Sequence, residues 1–181
     1  MTTASKITMV RIGMIPIFMA FMYMDFPYSD IAALAIFIVA SITDSVDGYV
    51  ARKYNQVSTF GKFIDPLADK LLVFAAMLIL VERQQIPSWA AIIIITREFA
   101  VTALRLVAVE AGVVIAAGTS GKVKTVVSMV SICIMLTELK NFVIITDSFT
   151  LNSLCVWLML ITTVWSGVEY FYKNKDVLNI T

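Results

Sequence analysis

The chain has 181 residues, 60% of them hydrophobic and 15% charged, with a net charge of +1 and a mean hydropathy of +0.89. Soluble domains run at about 45–50% apolar and about 25% charged, so the composition excludes an ordinary soluble fold and points to an all-α integral membrane protein. A net charge of +1 says nothing about partners, no nucleic-acid partner is expected, and the length suits one bundle, read as a single membrane domain over residues 1–181.

No histidine is present, which leaves carboxylates to act as bases and as metal ligands. Cys133 and Cys155 lie inside apolar runs without zinc-type spacing and read as buried, inert thiols. The opening MTTASKITMVRIGMIP is not read as a cleaved signal peptide, because Arg11 interrupts its apolar region and no small-residue cleavage site follows.

In chain order, the first expected helix runs from Lys6 to Met24, kinked at Pro16, with Lys6–Arg11 forming a short interfacial helical segment before the membrane is entered. The second apolar run, Ile31–Ile42, is too short for a span of about 20 residues, so its helix must continue through Asp44 to Arg52. The third covers Phe63–Val81, with Asp65, Pro66 and Asp69 in its first turns, where a proline is tolerated. A fourth, Trp89–Glu110, is interrupted by Arg97, Glu98 and Arg105. Ala117–Thr125 reads as a glycine-containing loop carrying Lys122 and Lys124, followed by spans at Val126–Ile145 and Leu151–Tyr172.

Six transmembrane helices put both termini on one side. That side carries Lys6, Arg11, Arg52, Lys53, Lys62, Lys122, Lys124, Lys173 and Lys175, whereas the opposite turns hold only Arg83 and Lys140 beside several acidic residues. Basic short loops face the cytoplasm, so the expected location is the cytoplasmic membrane, with both termini and the active site facing the cytosol.

Ionised carboxylates inside a membrane are expensive and mark functional sites. Helical rise puts Asp44 and Asp69 at similar depth, about 10 Å below the cytoplasmic boundary, with Asp47 and Asp65 one turn nearer the cytosol. Asp44, Asp47, Gly48 and Ala51 share one helix face, as do Gly61, Asp65 and Asp69 if their helix begins early enough. Facing carboxylates repel unless cations neutralise them, and hard divalent ions favour oxygen ligands. The carboxylates therefore need cations, and the stretch is read as a two-metal site that moves a phosphate-linked group between lipids. Gly48, Ala51 and Gly61 leave a slot suited to a nucleotide, or else allow close helix packing. Arg52 is positioned for a phosphate or as a membrane anchor. The plainer readings of the aspartates are a water-facing rim or a cation pathway.

Asp44-x2-Asp47-Gly48-x2-Ala51-Arg52-x8-Gly61-x3-Asp65-x3-Asp69 resembles the complete motif of the CDP-alcohol phosphotransferase family. The resemblance implies transfer of a phospho-alcohol group from a CDP-linked donor to an acceptor hydroxyl, with release of CMP. It implies that Asp44, Asp47 and Asp65 hold two divalent cations, Mg²⁺ or Mn²⁺, and that Asp69 completes the second metal's shell or acts as the base. Asp47, Gly48, Ala51, Arg52 and Gly61 would frame the cytidine diphosphate. A homodimer is implied on the same ground.

Ile95-Thr96-Arg97-Glu98-Phe99, Arg105, and Gly121-Lys122-Val123-Lys124-Thr125 resemble the branch of that family that makes phosphatidylglycerol phosphate. So do Lys6–Arg11, with Ser5 in place of the usual asparagine, and Ser166–Tyr170. The partners implied are CDP-diacylglycerol, sn-glycerol 3-phosphate and membrane lipids. Arg97, Arg105, Lys122, Lys124 and Arg11 are the candidate ligands of the acceptor's phosphate. A structural Glu98–Arg105 ion pair is the competing reading, since an intramembrane arginine needs a partner. Serine, inositol phosphate or a phospholipid are alternative acceptors, and a divalent-cation transporter is the alternative from another class.

Overall fold

The computed structural model describes residues 3–24, 26–54, 59–110, 112–113, 115, 118–143 and 149–175; side chains are described for 9–24, 26–43, 70–110, 112–113, 115, 118–137, 139, 141–143 and 149–175. The described residues fold into six long α-helices: α1 Thr3–Tyr23, α2 Ser29–Tyr54, α3 Thr59–Glu82, α4 Ser88–Glu110, α5 Thr119–Met135 and α6 Leu151–Lys173. It divides into two compact units, Met1–Arg83 and Gln84–Thr181. Among the described residues no strand forms beyond a single bridge between Val143 and Thr150.

In the first unit α1 packs along both α2 and α3. Its core is formed by Phe18 and Met22 of α1, Ala33, Phe37 and Ala40 of α2, and Ala76, Met77 and Leu80 of α3. The small alanines let the helices approach while Phe18 and Phe37 fill the seam, with ring centroids 6.0 Å apart. One end of the unit is closed by polar groups. Tyr23 Oη donates to Glu82 Oε2 at 2.5 Å, and Arg83 donates to Asp30 Oδ1 at 2.6 Å and to the Met22 carbonyl. These bonds bring the end of α1, the start of α2 and the end of α3 level.

The expected Lys6–Arg11 interfacial piece is not a separate element, because α1 runs from Thr3 through Pro16 to Tyr23. The third helix begins at Thr59, a full turn before Phe63, so Pro66 does not lie in its first turn. That early start puts Gly61, Asp65 and Asp69 within one helix.

In the second unit α6 packs against α4 and α5. α4 starts beside Pro87, whose carbonyl accepts from Ala90 N–H at 2.9 Å. It ends in a Schellman-type turn, with Val113 N–H on the Ala108 carbonyl at 2.8 Å and Gly112 at φ +75°, a conformation glycine adopts without a Cβ clash. The expected loop at Ala117–Thr125 is corrected: α5 begins at Thr119, so Lys122 and Lys124 stand on its first turns. α5 also ends at Met135, ten residues before the expected Ile145, where Thr137 Oγ1 bonds back to the Ile134 carbonyl and a 3₁₀ turn, Glu138–Asn141, takes over. At the start of α6, Thr150 Oγ1 accepts from Ser153 N–H at 3.5 Å and caps the helix. Cys155 is buried and Cys133 half-buried, and both are free thiols.

Among the described residues one helix, Leu151–Lys173, is long and apolar enough to cross a membrane, and Met9–Tyr23 and Ser29–Thr43 are shorter apolar segments. Charged residues inside α4 and the 17-residue length of α5 set those helices apart.

Candidate active site

The residues expected to hold metals and nucleotide fall on two helices of the first unit. α2 carries Asp44, Asp47, Gly48, Ala51 and Arg52, and α3 carries Gly61, Asp65 and Asp69. The side chains of all eight lie outside the described residues. Among the described residues no group of three or more His, Cys, Asp or Glu side chains could hold a metal ion. Arg11, a candidate phosphate ligand, is buried on α1.

The remaining candidates belong to the second unit, and the structure separates them. Arg97 on α4 and Lys124 on α5 come together on a single atom, the Oε1 oxygen of Glu98. Lys124 Nζ donates to it at 2.5 Å and Arg97 Nη1 at 2.9 Å. Arg97 Nη2 reaches across to α6 and donates to Ser166 Oγ at 3.0 Å, and that hydroxyl donates in turn to the Thr163 carbonyl at 3.1 Å. The side chains of Arg97, Glu98 and Lys124 are only 13%, 17% and 6% exposed, so this cluster of two cations and one anion is largely desolvated.

Arg105 and Lys122 are exposed and stand apart from this cluster. The expected Glu98–Arg105 pair is therefore corrected: residues seven apart on a helix are separated by about 10 Å of rise, whereas Lys124 on the neighbouring helix lies within direct reach. Lys124 is likewise no lipid-facing anchor, since it is 5% exposed.

The two residues that complete the cluster, Ser166 and Gly167, stood in the sequence only as part of the Ser166–Tyr170 resemblance, with no role attached. Gly167 has a steric reason to be glycine. A Cβ there would lie 3.1 Å from Arg97 Cγ, tighter than ordinary van der Waals contact. The aliphatic stem of Arg97 passes over Gly167 on its way to Glu98. One turn toward the start of α5, a cavity of about 250 Å³ is lined by the apolar Val113 and Ile115 as well as by Ser120, Glu169, Tyr170 and Lys173.

The sequence pattern described as CDP-alcohol phosphatidyltransferase matches residues 1–165. The chain belongs to that family. Membership makes it an enzyme of phospholipid biosynthesis. It is similar to a CDP-diacylglycerol–glycerol-3-phosphate 3-phosphatidyltransferase of Bacillus subtilis, 49% identical over 148 residues that cover 82% of this chain and 76% of the relative. A protein of the same name from Rickettsia bellii is 36% identical over 140 residues, 77% of each chain. Another from Haemophilus influenzae is 38% identical over 148 residues, 79% of this chain and 77% of the relative.

Proposed function

We propose that this chain transfers the phosphatidyl group of CDP-diacylglycerol to sn-glycerol 3-phosphate, giving phosphatidylglycerol phosphate and CMP. The observation that carries the reading is the 49% identity, over 82% of the chain, to the Bacillus subtilis transferase of that name. The motif from Asp44 to Asp69 and the basic pair at Glu98 support the same reaction.

An oxygen-only donor set of four carboxylates, in a chain without histidine, fits two hard divalent cations held by Asp44, Asp47, Asp65 and Asp69. When bound, such ions compensate charge on the attacking and leaving oxygens of an in-line displacement. The chain's own residues do the rest. Asp69, with Asp65 beside it on α3, takes the proton of the acceptor hydroxyl. That oxygen forms its bond to the phosphatidyl phosphorus as the bond to the CMP oxygen breaks. Gly48, Ala51 and Gly61 leave room for the cytidine diphosphate, with Asp47 and Arg52 at its edge. Arg97 and Lys124 hold the acceptor's phosphate.

A six-span membrane domain, with both termini and the reaction centre on the cytoplasmic side, is the setting we propose for this chemistry. Burial on α5 supports it. The helix turns Ser120, Lys124, Ser128 and Ser131 inward while Val126 and Val130 are 61% and 52% exposed. Polar-in, apolar-out is the pattern expected where lipid is the solvent, because polar groups must then find partners inside.

Purified full-length protein given CDP-diacylglycerol, sn-glycerol 3-phosphate and Mg²⁺ or Mn²⁺ is expected to release CMP and form phosphatidylglycerol phosphate. Turnover with serine or inositol phosphate at equal or greater efficiency would reassign the acceptor. No metal-dependent CMP release with any alcohol would refute the transferase reading for this chain.

A further inference from the structure

We propose that Glu98 is a positioning residue, which gathers Arg97 and Lys124 from two helices into one phosphate-sized pair, with Ser166 and Gly167 fixing the arginine. This deepens the reading above and rests on a phosphorylated alcohol being the acceptor.

The geometry begins at one atom. Glu98 Oε1 accepts from Lys124 Nζ at 2.5 Å and from Arg97 Nη1 at 2.9 Å. The two nitrogens therefore cannot be farther apart than those two bonds laid end to end. That separation lets two oxygens of a single phosphate meet both cations. Without Glu98, two like charges on neighbouring helices would move apart, and the pair would lose its spacing.

Charge supplies the second reason. Among the described residues the cluster holds two cations against one carboxylate in a poorly solvated place, where unbalanced charge is costly. A phosphate arriving there completes the balance, whereas a neutral alcohol does not. Lys124 has donors beyond the one spent on Glu98, since an ammonium carries three. A cavity of about 250 Å³ lined in part by Ser120 and Tyr170 lies one turn from Lys124 on α5 and one turn from Ser166 on α6.

Ser166 and Gly167 set the arginine rather than touch the phosphate. Ser166 Oγ holds Nη2 at 3.0 Å, and the absent Cβ of Gly167 leaves the path for the Arg97 stem. A methyl group at position 167 pushes the stem near its root, so the whole guanidinium shifts.

The test is steady-state kinetics of CMP release by the full chain, with donor and acceptor varied separately. Glu98→Gln keeps the shape and removes the charge; it is expected to raise the acceptor KM by about tenfold or more while the donor KM stays within about twofold. Ser166→Ala and Gly167→Ala, which leave every charge in place, are expected to raise the acceptor KM by about threefold to tenfold. Inorganic phosphate should compete with the acceptor in the parent chain and compete more weakly in all three variants. An active Glu98→Gln protein with an unchanged acceptor KM overturns the inference. If Glu98→Gln does not fold, unchanged acceptor KM values in Ser166→Ala and Gly167→Ala overturn it instead. Loss of melting temperature with both KM values unmoved would make the cluster a structural clasp only. Absence of CMP release by the parent chain would refute the underlying function, and this inference with it.

Discussion

Arg83 and Asp30 join the end of α3 to the start of α2, with Nη1 donating to Oδ1 at 2.6 Å. Asp44 stands fourteen residues beyond Asp30 along α2, and Asp69 stands fourteen residues before Arg83, within α3. Each interval corresponds to roughly 21 Å of helical rise. Counted from that ion pair, Asp44 and Asp69 lie at the same rise along their two helices.

Breaking that pair is expected to loosen the first unit. Arg83→Ala removes the bond to Asp30 and also the one to the Met22 carbonyl, so it should lower stability by about 1–2 kcal/mol, more than Asp30→Ala does. Thermal unfolding in detergent, with the double variant completing the cycle, measures this. Equal losses for the two single variants would assign no separate role to the Met22 bond.

The aspartates are expected to matter for turnover and not for folding. Asp65→Ala or Asp69→Asn should reduce CMP release by about a thousandfold or more, with helix content and elution volume unchanged. Chelation of divalent ions should abolish release in the parent chain, and Mg²⁺ or Mn²⁺ should restore it. Near-normal turnover in either variant would remove that carboxylate from the reaction.

The basic residues should divide as their burial divides them. Lys124→Gln is expected to raise the acceptor KM by about tenfold or more, because a charge-assisted contact is lost in a desolvated place. Lys122→Gln and Arg105→Gln, at exposed positions, should change it by about threefold or less. A larger effect at Arg105 than at Lys124 would move the acceptor's phosphate along α4.

The reversed face of α5 offers a test of its surroundings. Val126→Asp places a charge on the outward side near the helix middle and should cost about 3 kcal/mol of insertion, seen as protein lost from the carbonate-resistant membrane fraction. Ser128→Ala, on the buried side, removes a hydroxyl that has no hydrogen-bond partner among the described residues and should leave stability unchanged or raise it slightly. Unimpaired insertion of Val126→Asp would argue that this face meets water.

Six helices in these places were legible in the sequence because apolar runs bounded by polar turns are local features. Their ends were less so. Lys122 and Lys124 read as loop residues beside two glycines, yet α5 begins at Thr119, since Ser120 and Lys124 are buried one turn apart on its inner face. The span expected over Val126–Ile145 stops short at Met135, where the Thr137 N–H bonds back only three residues, to the Ile134 carbonyl.

The sequence by itself determined the family and the motif of Asp44 to Asp69, because spacings of three and four residues become one helix face through nothing more than the helical repeat. Only the tertiary structure decided what Glu98 binds. Its partner Lys124 is 26 residues away on another helix, and Arg97 reaches it over a glycine on a third. Such meetings depend on how helices pack, and packing brings together side chains that no local period relates.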